Sequence, residues 1–157
     1  MSQPAPVPPG LDYLTRLSVE IDHPVEVGET HAGRRRMIPI LGGTADGPQL
    51  SGRILPGGAD FQVIRSGTVA DLEARYVVEA NNGERLYITN LAYRTGTPQD
   101  VAALARGEEV PPERIYFRCA PRFEVAGEEL SWLESTVVIG AGRRTPDTVH
   151  IDLWAVL

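Results

Sequence analysis

The chain has 157 residues, a length that fits one domain, with 42% hydrophobic and 23% charged residues and a formal net charge of −6. An acidic chain lacks the basic stripe of a nucleic-acid binder. All fifteen basic residues are arginine, which excludes a Walker-A lysine and a Schiff-base lysine. The single cysteine, Cys119, excludes an internal disulfide and fits a reducing, cytoplasmic setting.

In chain order, MSQPAPVPPG at residues 1–10 carries neither the positive n-region nor the apolar h-region of a signal peptide. It reads as a flexible Pro-rich arm, or as a strap on a neighbouring subunit. From residue 11 the dominant hydrophobic period is two. Leu11, Tyr13, Leu17, Val19 and Ile21 alternate with Asp12, Arg16, Ser18, Glu20 and Asp22, which predicts a half-buried strand. Similar segments follow at residues 35–41, 49–55, 61–65, 69–79, 85–93, 114–123, 130–139 and 148–156. Asn82-Gly83 between two of these runs predicts a two-residue type I′ hairpin. Only residues 98–107 read as helix: Thr97 or Pro98 opens it, Val101, Ala102, Leu104 and Ala105 form its stripe, and Gly107 closes it. No run of ~20 apolar residues suits a membrane helix. Short strands with frequent turn signals predict an all-β fold, a single antiparallel barrel or sandwich over residues 11–157.

The stretch Pro56-Gly57-Gly58-Ala59-Asp60 poses a choice between a phosphate cradle and a bend. A phosphate loop leads into a helix whose N-terminus faces the anion. Here Phe61-Gln62-Val63-Ile64-Arg65 follows, with no helical stripe and no lysine. The reading is strand, bend, strand, with glycines adopting angles that a Cβ forbids.

The segments GRRRMIPILGGTADGPQLSGRILPGGADFQVIR, LEARYVVEANNGERLYITN, IYFRCAPRFE, WLE and VHIDLWAV resemble the DUF3237, or UPF0311, family over nearly the whole chain from about residue 11. That resemblance implies a small antiparallel β-barrel of the lipocalin or allene-oxide-cyclase kind, without an established general activity. Phe61 stands where the family commonly has Trp, Glu73 where it has Asp, and Glu134 where it has Asn.

The histidines His23, His31 and His150 are scattered without metal-ligand spacing, so no metal and no cofactor are expected. There is no GxSxG elbow for a serine nucleophile. Candidate site residues are polar groups at positions that share a face with apolar ones. Asp60 leaves the bend beside Gln62; it either caps its own turn or enters the lumen as a general acid or base. Glu134 shares a predicted strand face with Trp132, Thr136 and Val138. With Asp60 it would form a carboxylate pair beside an indole wall, raising a carboxyl pKa by burial and repulsion; alternatively it is solvated. Asn90 ends the apolar face of Leu86 and Ile88, as a strand-end tie or as an amide donor to an oxyanion. Glu73 and Arg75 share a face, as an exposed pair or with Arg75 clamping an anionic ligand. Which face of residues 72–78 points inward is open in the sequence. Tyr116 is a hydroxyl donor or a packing aromatic.

Two functions fit. One is a cofactor-independent enzyme of isomerase, cyclase, lyase or hydratase type acting on an organic carbonyl or acid substrate. Asp60 or Glu134 would move the proton, and Arg75, Asn90, Tyr116 and Trp132 would bind substrate. The other is a binding protein for a small hydrophobic or anionic ligand. A weaker third is a structural subunit, with a homodimer formed through an exposed strand edge or the arm. Partners are a small organic molecule, with neither nucleic acid nor membrane.

Overall fold

A computed structural model describes residues 1–157. Ten strands form: β1 (Leu11–Ile21), β2 (Val25–Thr30), β3 (Gly33–Asp46), β4 (Gly52–Ile54), β5 (Ala59–Arg65), β6 (Val69–Ala80), β7 (Arg85–Thr95), β8 (Tyr116–Ala126), β9 (Val138–Arg144) and β10 (Thr148–Val156). All belong to one antiparallel sheet. It closes because β1 pairs with both β10 and β3, which removes the open edges a flat sheet leaves unpaired.

The ten strands make eight staves. β4 and β5 lie in tandem between β3 and β6: Ile54 pairs with Gly43 and Val78, and Ala59 with Pro39 and Arg75. The Pro56-Gly57-Gly58 bend therefore does not lead to a new stave. It is a bulge within one, with more residues between Ile54 and Ala59 than on either neighbour. Gly57 sits at φ +113°, and a Cβ on Gly58 would lie 2.4 Å from the Arg75 carbonyl and 2.6 Å from Tyr76 Cβ. The first needs glycine for its backbone angle and the second for close strand approach. Likewise β2 continues β1 along β3, with Ile21 opposite Ile40 and Val25 opposite Met37.

The one helix, α1 (Pro98–Ala105), begins with Thr97 accepting from the Asp100 backbone N–H at 3.1 Å, an N-cap of the usual kind. It lies in the β7–β8 connection, where the Ala105 carbonyl accepts from Arg36 Nη1 at 3.0 Å. Successive connections of an antiparallel barrel fall at opposite ends. The β8–β9 connection is accordingly at the other end, where Leu130 and Leu133 enter the core.

Four expectations change in detail. Residues 130–139 are not a strand: Ser131–Ser135 form a 3₁₀ turn and β9 begins at Val138. The strand at Val25–Thr30 was not signalled, because its residues are largely exposed and show no alternation of burial. A bulge between Tyr13 and Thr15 inserts Leu14 into the core and turns Tyr13 outward, where its hydroxyl donates to Asp152 Oδ1 at 2.9 Å. The Asn82-Gly83 hairpin has three loop residues instead of two. The Gly83 N–H donates to the Ala80 carbonyl at 2.9 Å, the Ala80 N–H to the Glu84 carbonyl at 2.8 Å, and only Gly83 has positive φ, which is the turn-plus-bulge form.

Candidate functional site

The lumen is divided by chemistry. Toward the 3₁₀ turn it is filled with apolar side chains, among them Leu14, Leu17, Leu86, Leu133 and Leu153, all at most 1% exposed. Toward α1 the inward positions turn polar. Along β7 the inward face reads Leu86, Ile88, Asn90, Ala92, Arg94; along β3 it reads Ile40, Ile38, Arg36; β9 ends in Arg144. Each polar residue is placed inward by the same period of two that buries its apolar neighbours.

Small residues keep this half from filling. Ala74 lies between Asp60 and Asn90 in the cross-strand row, and Ala92 between Leu72 and Cys119. On β9, Gly142 lets the Phe117 ring lie against the strand, where a Cβ would approach it to 2.7 Å. The remaining cavity gives the centre of a water molecule about 40 Å³ to move in. Its walls are apolar (Ile38, Leu72, Phe117 and Ile151 among them), and Asp60, Gln62, Tyr76, Asn90, Arg94 and Arg144 enter between them.

Their polar atoms are incompletely satisfied. Gln62 Nε2 donates to Asp60 Oδ2 at 2.7 Å. Asp60 Oδ1, Gln62 Oε1, Tyr76 Oη, Asn90 Oδ1, Nε and Nη2 of Arg36 and Arg94, and Nη1 of Arg144 are buried without a partner. Natural interiors leave few such groups, because each costs about 1–3 kcal/mol. Most of these residues line one cavity, which therefore carries hydrogen-bonding capacity that no protein group takes up.

Electrostatics agree. Burial raises the Asp60 carboxyl above its ordinary range, against the opposing pull of Gln62, Arg94, Arg144 and Arg36. Burial, helped by mutual repulsion, draws Arg94 and Arg144 each down to about 10, and it lowers Arg36 as well. Burial also raises the Tyr76 hydroxyl, and it pushes the Cys119 thiol up to about 11. Cys119 is thus a protonated core residue rather than a nucleophile. Glu26 Oε1 lies 3.6 Å from Arg36 Nη1 at the rim, but it belongs chiefly to Arg34, at 2.6 Å. Three guanidiniums and one carboxyl leave the lumen cationic.

Of the six residues singled out in the sequence, the structure brings two together, Asp60 and Asn90. Asp60 does not cap its turn; it faces the lumen. The other four lie elsewhere. Arg75 is on the outer face of β6, paired to Glu73 at 2.6 Å with both half exposed; the inward face is Leu72, Ala74, Tyr76 and Val78. Tyr116 is 55% exposed on the outer face of β8, with the Arg118 guanidinium 5.5 Å from its ring centre. Trp132 and Glu134 sit on the 3₁₀ turn, away from Asp60. Trp132 packs partly buried on the core, and exposed Glu134 accepts from the Val125 N–H at 3.4 Å. The carboxylate pair therefore does not form. Sequence reasoning missed Arg36, Arg94, Arg144 and Tyr76 as site residues. A signal was present: each lies in period with buried apolar residues of its strand.

No three His, Cys, Asp or Glu side chains gather to hold a metal ion, and no helix is long and apolar enough to cross a membrane.

Residues 9–156 match the family described as "Protein of unknown function (DUF3237)". The chain belongs to this family. A UPF0311 protein of Rhodopseudomonas palustris is 41% identical over 145 residues, 92% of this chain and 95% of the relative. Its crystal structure, described as a conserved protein of unknown function, superimposes with a TM-score of 0.93 at 39% identity, covering 98% of this chain and 100% of that one. A β-barrel like protein from Acinetobacter baumannii gives a TM-score of 0.85 at 36% identity, with 99% and 100% covered. An enzyme from Penicillium herquei shares the fold, with a TM-score of 0.73 at 16% identity and 99% and 100% covered.

Proposed function

We propose that this DUF3237 chain is a cofactor-independent acid–base enzyme acting on a small organic carbonyl or acid compound held in the barrel lumen. The observation that carries the reading is the buried, unpartnered Asp60 Oδ1, which faces a mostly apolar cavity beside the unpartnered Tyr76 hydroxyl and the Asn90 amide. A carboxyl raised by burial sits nearer neutral pH, where proton transfer in both directions is fastest. Asp60 as carboxylate takes a proton from the carbon next to a substrate carbonyl. The electron pair moves onto the carbonyl oxygen, which Tyr76 O–H and Asn90 Nδ2–H stabilise. Asp60 then returns the proton at another atom, completing an isomerisation, or at a leaving group, completing an elimination. The Penicillium herquei protein, named as an enzyme, shares this fold, which supports the barrel as a scaffold able to carry catalysis and says nothing of the reaction.

Native mass spectrometry of gently purified protein, followed by denaturing extraction, identifies any organic acid or carbonyl compound that co-purifies. Incubated with fresh protein, that compound is converted, and Asp60→Asn slows conversion by about 10²–10⁴-fold, whereas Glu134→Gln leaves it unchanged. Recovery of the compound unaltered by the wild-type protein would make the barrel a carrier. Full turnover by Asp60→Asn would remove Asp60 from the chemistry.

A further inference from the structure

We infer that Arg94 and Arg144, with the charge of Arg36 beside them, form an anion subsite at the α1 end of the lumen, and that it takes the carboxylate of an otherwise apolar organic acid. For the orientation of the reacting end this rests on the proposed function. The three side chains come from β3, β7 and β9 and are 0%, 1% and 8% exposed. Arg94 and Arg144 line the cavity, and Arg36, buried outside its lining, lies near enough to repel both, although no pair of the three is adjacent in the chain. Only one guanidinium N–H of the three residues has a protein acceptor, the bond from Arg36 Nη1 to the Ala105 carbonyl at 3.0 Å. Five donor atoms are buried without any: Nε and Nη2 of Arg36 and of Arg94, and Nη1 of Arg144.

Three buried like charges repel one another. Of the three, Glu26 Oε1 reaches only Arg36, at 3.6 Å from the rim, and the carboxyl inside the lumen, Asp60, hydrogen-bonds to Gln62 and to none of them. Arg94 has no hydrogen-bond acceptor; its relief is the charge of Asp60 and the Phe117 ring, 6.0 Å from the guanidinium carbon. A carboxylate with two oxygens and about four acceptor sites matches paired guanidinium N–H groups bidentately. The rest of the wall selects the body of the ligand. Ile38, Leu72, Ala92, Phe117, Val149 and Ile151 offer no hydrogen bonds to a polyhydroxylated or multiply charged molecule. With its carboxylate on the arginines, such an acid extends along the lumen toward Asp60, Tyr76 and Asn90. The substrate class is thus a monocarboxylic acid with an apolar body and a carbonyl or enolisable carbon some way from the carboxylate.

Calorimetric titration of the whole protein with benzoate, and with its neutral isostere benzamide, tests the subsite; butyrate serves as a narrower carboxylate and inorganic phosphate as a competing anion. Benzoate or butyrate is expected to bind, with benzamide at least tenfold weaker. Arg94→Gln and Arg144→Gln each weaken carboxylate binding by about 10- to 100-fold, the size of one lost charge-assisted hydrogen bond or two. Far-UV circular dichroism reports whether those variants fold. If either does not, Arg94→Lys and Arg144→Lys keep the charge but lose the fork, and are expected to weaken binding less than tenfold. Asp60→Asn retains carboxylate binding while losing turnover, so failure of the proton-transfer reading and failure of the subsite are told apart. Equal affinity for benzoate and benzamide, binding unmoved by the arginine substitutions, phosphate preferred over both carboxylates, or no binding of either carboxylate would each overturn the assignment.

Discussion

Asp60 shows how one residue couples site chemistry to stability. Its carboxyl is raised by burial in the folded chain, whereas in the unfolded chain it titrates near 3.9. As pH rises above about 4, the unfolded state releases this proton first and the folded state retains it. The unfolded state then binds fewer protons, so the Asp60 contribution to stability falls with rising pH until the folded carboxyl ionises. Glu26, Glu79 and Asp152 are held below their ordinary values by arginine partners and act in the opposite sense. The Asp60 contribution is therefore isolated by difference. Urea midpoints of wild type and Asp60→Asn are expected to diverge between pH 4 and pH 7, the variant gaining relative stability as pH rises. Parallel curves would show that the carboxyl ionises normally in the fold.

At the scale of elements, the bulge joining β4 to β5 separates two uses of glycine in adjacent positions. Gly57 has φ +113° and open space where a Cβ would stand, whereas at Gly58 a Cβ would strike the Arg75 carbonyl and Tyr76. Gly57→Ala is expected to cost about 1–2 kcal/mol of backbone strain and to leave the site intact. Gly58→Ala forces β5 and β6 apart at the pair that carries Asp60 and Tyr76. It is expected to cost about 1–3 kcal/mol by overpacking and also to impair ligand binding. Chemical denaturation alongside a binding titration distinguishes the two; equal effects on binding would mean that the bulge does not position the site.

Across the whole molecule the barrel divides its tasks along its axis. One end is an apolar plug that includes Leu130 and Leu133, and the other is the cationic lumen under α1. Leu133 is 1% exposed and lies on the 3₁₀ turn, at the end opposite the arginines. Leu133→Ala is expected to lower stability by about 2–5 kcal/mol through transfer and cavity costs while leaving benzoate affinity unchanged. A matching loss of affinity would show that the two ends act as one unit.

Much of this was legible in the residues themselves, because strand periodicity and turn chemistry are local. The alternations at residues 69–79, 85–93 and 148–156, the capped helix after Thr97 and the non-phosphate character of the Pro56-Gly57-Gly58 bend all follow from side chains within a few positions of one another. An all-β antiparallel fold, barrel or sandwich, also follows from many short alternating strands. Asn90 could be singled out because it stands in period with Leu86 and Ile88, and Asp60 because it leaves the Pro56-Gly57-Gly58 bend on the same face as Gln62. What local pattern leaves open is which of two alternating faces closes over the lumen. A strand carries two faces with the same period, and only pairing with both neighbours decides between them. That decision placed Tyr76 inside and Arg75 outside, although they are adjacent in the chain. It also gathered Arg36, Arg94 and Arg144 from three separated strands. The convergence of those charges is a property of register and closure, so tertiary structure alone could reveal it.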